Sequence, residues 1–329
     1  MSKTLSDASC ALCGQGPLRK VRAYRPQSGI FCTARVARCE RCGLMQVVPM
    51  PSGEELESFY RSTYRSEAQA WVCSPYDDLK ELNFRTASQV EFIKKHVSHA
   101  ERIVDVGCGY GQLLKCLRDT FPEAKLFGVE ISEKCQPALK QLGVQVAGTT
   151  LEREGGNPFG EGFDVLTCSH VLEHSCQVAK FLGICAQLSR EGGFVMFEVP
   201  NCEFEYGCDV PHLTFFTPKA LAQALQSAGF EVLSCQPCGP TAERWQYNRR
   251  QRLQHYVEDH FPDPLTRALK FWWRLARNLR GQNPANGEVR AADLARLKEE
   301  AKDPAWFEYN KPGFKHTAIR CAATRKAAG

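Results

Sequence analysis

The stretch Ile103-Val-Asp-Val-Gly-Cys-Gly-Tyr-Gly111, running on into Gln112-Leu-Leu-Lys-Cys-Leu117, constrains the fold more than any other part of the chain. Its apolar start reads as a buried parallel strand. Gly107, Gly109 and Gly111 then form a turn that opens a helix. Glycines there let backbone approach a ligand closely, and the helix N-terminus offers free N–H groups. A strand, a glycine turn and a helix in that order predict an α/β sheet with its ligand at the carboxyl ends of the strands. Alone, the turn does not say which ligand.

The segments downstream narrow the choice. About twenty residues on, Leu126-Phe-Gly-Val-Glu130 reads as a second strand ending in an acid, placed to accept the hydroxyls of a ribose. Next come Phe163-Asp-Val-Leu-Thr-Cys-Ser169-His170-Val-Leu-Glu173-His174 and, after a helix, a Gly192-Gly193 turn before Phe-Val-Met-Phe-Glu198. This succession resembles the class I methyltransferases that use S-adenosylmethionine (SAM). The resemblance implies that Asp105, Gly107, Gly109 and Gly111 hold the methionine end of SAM and Glu130 its ribose. Cys108, inside the loop, is expected to pack, and Ser169 to line the site. His212 is the first candidate for a general base and His170 the second, with His174 beside them. In similar ubiquinone-pathway enzymes the Glu-His segment is tied to a divalent metal, so Mg²⁺ is a further expectation at Glu173-His174.

The expected catalytic sheet is doubly wound, Rossmann-like and seven-stranded, with strands at 103–106, 126–130, 144–147, 165–169, 194–198, 231–235 and 316–323. The last is expected to close the edge, antiparallel to its predecessor. Thr217-Pro218 opens a helix with a cap and a first-turn proline, and Gly229 ends it.

Ahead of this domain stand Cys10-Ala-Leu-Cys13 and Cys39-Glu-Arg-Cys42. Two such turns suit one tetrahedral Zn²⁺, closed by four thiolates and therefore structural. Gly14 and Gly43 follow each pair, where the backbone must reverse, and Cys32 is a spare. The residues after the second pair, from Gly43-Leu-Met to Phe59-Tyr60, resemble a methyltransferase branch that carries an N-terminal zinc module and includes sugar-nucleotide C-methyltransferases. A third pair, Cys235-Gln-Pro-Cys238, has no nearby partners and is expected to end a strand.

The expected domains are a zinc module at 1–60, a helical connector at 61–100, the catalytic domain at 101–240 plus 315–329, and a helical insertion at 241–314 acting as a substrate lid. The net charge of +5 is uneven. From Thr241 onward eighteen Lys and Arg face ten Asp and Glu, which leaves the first 240 residues at minus three. Within the insertion, 263–280 reads as an amphipathic basic helix suited to packing as a lid or to docking on phosphate, nucleic acid or an anionic membrane surface. No run of eighteen apolar residues occurs and Met1 to Ala11 is polar, so a cytoplasmic protein is expected, with its seventeen cysteines reduced.

These features predict methyl transfer from SAM to an oxygen or carbon of a small-molecule or glycan acceptor, one that could carry phosphate. The alternatives are an RNA methyltransferase and a SAM-binding scaffold without catalysis. Against RNA stands the lack of an Asn/Asp-Pro-Pro-Tyr/Phe motif.

Overall fold

The computed structural model describes residues 8–24, 29–59, 84–148, 150–154, 156–203, 212–239 and 318–327. The insertion at 241–314, its basic helix at 263–280, and most of the connector lie outside them.

The larger sheet has seven strands: β4 (Arg102–Val106), β5 (Lys125–Val129), β6 (Gln145–Ala147), β7 (Phe163–Ser169), β8 (Ser189–Pro200), β10 (Phe230–Cys238) and β11 (Ala318–Arg325). Their order is β10-β11-β8-β7-β4-β5-β6. The pairs from β8 to β6 are parallel, and β11 runs antiparallel to both its neighbours. The central strand β7 is buried on both faces, hence its near-continuous apolar run. One correction concerns β11. It does not close the edge but inserts between β8 and β10, leaving β10 outermost. Both arrangements share one linear order of strands, so the pattern of residues does not separate them. A second correction concerns Gly192-Gly193, which lies within β8 at an irregular register rather than in a turn before it.

Helices cover both faces. On one, α2 (Phe84–Lys94) and α3 (Gln112–Thr120) pack Ile93, Leu114 and Leu117 against Ile103, Val165 and Met196. On the other, α6 (Val178–Leu188) and α7 (Pro218–Ser227) pack Leu182, Leu188, Leu221 and Leu225 against the sheet. The first residues of α7 are set as the sequence implies: Thr217 Oγ1 accepts from Ala220 N at 3.1 Å, and Gly229 at φ 87° follows the helix. Between these helices come the short α4 (Gln136–Gln141) and α5 (Leu151–Glu154).

The N-terminal residues build a second sheet, β1 (Leu18–Ala23), β2 (Arg35–Cys39) and β3 (Met45–Val48), followed by α1 (Gly53–Phe59). Its fourth strand is β9 (Thr214–Phe215), contributed by the catalytic part of the chain, with Gln46 opposite Thr214 and Met45 opposite Phe215. Cys10, Ala37, Cys39 and Leu44 share one apolar cluster with Phe216 and Leu221. The module is thus fused to the catalytic core through both backbone and side chains.

Candidate active site

The site forms where β4, β5 and β7 end. Gly107 N donates to Val129 O at 2.7 Å, which folds the loop over β5. Gly107 has φ 74°, and a Cβ there would lie 2.2 Å from Val171 Cγ2, so no other residue fits. Gly111 is as tightly placed: a Cβ would meet Leu142 and Leu139 under 3.0 Å. Beside Gly109, by contrast, there is open space. The loop is therefore shaped by two close approaches and leaves room at its crest. Glu130 sits under that crest. Its Oε2 accepts from Gly109 N at 2.9 Å and its Oε1 from Ser132 N at 2.7 Å. Each oxygen keeps a second lone pair for a ribose hydroxyl.

Asp105 is buried and accepts from Thr167 Oγ1 at 2.7 Å. Burial pushes its carboxyl up to about 7, against the Thr167 hydrogen bond and with help from Glu130. Cys108 packs against Gly128, whose Cβ would meet its Sγ at 2.6 Å, and burial keeps the thiol protonated. That is packing and not nucleophile chemistry. Ser169 accepts from Gln89 Nε2 of α2 at 2.9 Å, so the connector helix reaches the mouth of the site.

Next to the glycine loop, with Val171 as the shared contact, a cluster forms that no local spacing announces. His170, His174 and His212 surround the buried carboxylate of Glu173. His170 Nδ1 lies 3.4 Å, His174 Nε2 3.9 Å and His212 Nε2 4.0 Å from Glu173 Oε1. The rings of His174 and His212 meet edge to face with centroids 5.0 Å apart. Among the described residues no donor meets either Glu173 oxygen with good hydrogen-bond geometry. Glu173 nevertheless stays ionised: burial opposes it, but the three imidazoles hold its carboxyl down at about 2. His212 is held at about 4, chiefly by burial, with Glu173 pulling the other way. It is neutral at neutral pH.

His170 is built differently. Its φ of 57° is the one positive value of a non-glycine residue among the described residues. Its Nε2 faces Glu198 Oε1 at 3.5 Å, and its backbone N donates to Glu198 O at 2.8 Å. Burial and Arg85 work against its charge, yet Glu173 and Glu198 raise its pKa. Glu198 in turn is gripped by the fully buried Arg320, at 2.6 Å from Nε and 2.5 Å from Nη2. Arg320 also donates to Ser88 O and Ser88 Oγ of α2, both at 3.0 Å. This chain of pairs ties β8, β11 and α2 to the floor of the cluster. Neither Glu198 nor Arg320 carries a motif; an arginine within an apolar strand is the only signal, and a weak one.

His212 is aimed by the N-terminal sheet. Tyr24, fully buried, donates its hydroxyl to His212 O at 2.9 Å. Val47 N donates to Leu213 O at 2.8 Å, and Leu213 N to Glu173 O at 2.7 Å.

The four module cysteines also come together. Their sulfurs lie within 4.8 Å of one another, with Cys10–Cys42 at 3.5 Å and Cys13–Cys39 at 3.7 Å. A tetrahedral zinc with bonds of about 2.3 Å would set sulfurs roughly 3.8 Å apart, so the set fits that ion. Gly14 (φ 64°) donates to Cys10 O and Gly43 (φ 77°) to Cys39 O, the same turn made twice. Cys39 is drawn down to about 7: burial opposes this, but N–H groups of the turn outweigh it. Cys32 is exposed and outside the cluster, and Cys235 and Cys238 lie within β10.

Residues 80–235 match the sequence family described as a methyltransferase domain. They form a methyltransferase domain. The methyltransferase domain is similar to that of the ubiquinone biosynthesis O-methyltransferase of Methylococcus capsulatus, at 33% identity over 42% of this chain and 60% of that one. The chain therefore spans less than two thirds of this relative. It is also similar to the enzyme of the same name from an Azoarcus species, at 27% identity over 49% of this chain and 77% of that one. A solved structure, a SAM-dependent methyltransferase from Thermotoga maritima described as a possible histamine N-methyltransferase, superposes with a TM-score of 0.46 at 15% identity, covering 82% of this chain and 99% of that chain. No helix of the described residues is long and apolar enough to cross a membrane.

Proposed function

We propose that this protein transfers a methyl group from SAM to an oxygen of a small-molecule acceptor, with His212 receiving the acceptor's proton. The observation that carries the reading is the convergence of His212, His174 and His170 on Glu173, pressed against the glycine loop through Val171. The names of the relatives, ubiquinone biosynthesis O-methyltransferases, favour oxygen over carbon and a small molecule over a glycan or RNA.

SAM, when bound, supplies a methyl group already activated on a sulfonium. The chain's own task is to align and to handle one proton. Asp105, the glycine loop and Glu130 hold the cofactor. His212 is neutral and accepts the proton, and Glu173 stabilises the imidazolium that results. His170, braced between Glu173 and Glu198, positions the carboxylate.

A second reading is favoured by buried Glu173, whose oxygens meet no donor of good hydrogen-bond geometry among the described residues. Glu173, His174 and His212 offer ligand atoms within 4.8 Å of one another and could hold a divalent cation beside the acceptor oxygen. Two imidazoles and one carboxylate suit Zn²⁺, Mn²⁺ or Fe²⁺ better than Mg²⁺. In the module, Cys10, Cys13, Cys39 and Cys42 hold a structural zinc. A cytoplasmic location, where the cysteines would stay reduced, belongs to the same reading.

The test is methyl transfer from labelled SAM to a panel of catechols and other phenols, with RNA and glycan offered in parallel, before and after treatment with a chelator too weak to strip the cysteine site. Transfer that persists supports His212 as base; transfer restored only by added divalent ions supports the second reading. Label on RNA or glycan instead would overturn the acceptor class.

A further inference from the structure

Outside the second Cys-x-x-Cys turn an open concavity of about 560 Å³ lies between the N-terminal sheet and the first turn of α7. Three separate stretches of chain line it with positive charge: Arg19 and Lys20 from β1, Arg38 and Arg41 from β2 and the turn after it, and Lys219 from α7. Glu40 is the single acid among its described lining residues. All five cationic side chains are exposed, and none has an ion-pair partner among the described residues.

Balancing the zinc centre does not account for this. Four thiolates around a divalent ion carry two net negative charges, while the five cations less Glu40 supply four positive ones. The concavity stays cationic by about two charges even with zinc in place. Like charges gathered in a concave surface repel one another, and the same focusing raises the local concentration of an anion. The amino end of α7 adds its dipole in the same direction, opening at Thr217-Pro218-Lys219. Among the described residues, no aromatic side chain lines the concavity. The module's Tyr24 and Phe31 are buried in a core, so the described residues offer no platform there on which bases could stack.

We propose that this concavity binds a condensed phosphate, the di- or triphosphate group of a phosphorylated small molecule or lipid headgroup. Linked phosphates offer several oxygens at fixed spacing, so more than one arginine can engage them in paired hydrogen bonds at once. A single phosphate offers fewer oxygens for such pairs. The proposal does not depend on the methyl-transfer reading, because the concavity shares no residue with the glycine loop or the Glu173 cluster. Binding would draw the cysteine turn and α7 together, since the lining comes from both.

The test uses the full-length, zinc-loaded protein. Titration calorimetry would compare inorganic pyrophosphate and tripolyphosphate with orthophosphate at matched ionic strength. The expected result is one-to-one binding of pyrophosphate at least about tenfold tighter than orthophosphate. The double variant R41A/K219A should weaken it by about tenfold or more, with zinc content and circular dichroism unchanged, because both side chains are exposed. Equal affinity for all three anions, or undiminished binding by the variant, would overturn the proposal. Sedimentation with phosphatidylcholine vesicles containing a long-chain isoprenyl diphosphate, competed by pyrophosphate, would assign the phosphate to a lipid; pyrophosphate binding without sedimentation would assign it to a soluble molecule. Retention of single-stranded RNA that pyrophosphate does not displace would also overturn it.

Discussion

Two clusters of potential metal ligands lie at opposite ends of this chain's logic. The cysteine cluster is assembled from two short turns, each of which delivers two sulfurs and its own glycine. The Glu173 cluster is assembled by the whole fold. Glu173 and His174 follow β7, His212 arrives from some forty residues on, and Tyr24 sets it in place from the N-terminal sheet. On the zinc reading proposed above, the first would rely on an ion to hold a loop-rich segment; the second is framed by hydrogen bonds and buried ion pairs of the fold itself. Local chemistry and global scaffolding reach a similar geometry by different routes, and they should fail differently.

The largest expected effect breaks the local cluster. Cys39→Ser should abolish the one equivalent of zinc read by metal analysis and unfold the module, since such a site contributes on the order of 10 kcal/mol. His212→Ala, by comparison, should leave zinc and SAM affinity unchanged and slow methyl transfer by roughly 10²–10⁴-fold in single-turnover kinetics. If it also lowers SAM affinity severely, His212 serves the cofactor and not the proton. Glu198→Ala removes the scaffold under the second cluster and strands Arg320 in the core, at a cost of about 3–5 kcal/mol in urea denaturation. It should not touch the cysteine site.

The smallest effect sharpens the comparison at the cofactor loop. Burial lifts Asp105 to about 7, far above the 3.8 of an ordinary aspartate. The folded protein therefore binds the extra proton between those values, and this contribution to stability is lost as pH rises through 7. Asp105→Asn should flatten that part of the pH–stability profile. Saturating SAM should do the same in the native protein, because a cationic amino group beside Asp105 favours the ionised form.

The contrast between the clusters also explains what the residues alone reveal. The Gly107–Gly111 loop, Glu130 and the cysteine pairs announce themselves because each needs particular residues at fixed short spacing. The pairing of β11 between β8 and β10 leaves no such trace, since strand order in space is not strand order in the chain. Nor does the meeting of His212 with Glu173, which depends on β9 joining another sheet. His170 reads as a second base on position alone; its contacts with two carboxylates, Glu173 and Glu198, favour a bracing part instead. Along the chain, positive charge belongs to the C-terminal third, yet Arg19, Lys20, Arg38 and Arg41 concentrate it on the module once β1 and β2 lie side by side.

The pairing of β3 with β9 bears on how the molecule is made. During synthesis β3 leaves the ribosome well over a hundred residues before Thr214–Phe215 exist. Until then its outer edge offers unpaired backbone groups, and contacts of such long sequence separation form late. Newly made module would wait with an open edge for the catalytic chain to arrive. A fragment ending before β9 should therefore associate with itself more readily than the finished protein, edge to edge.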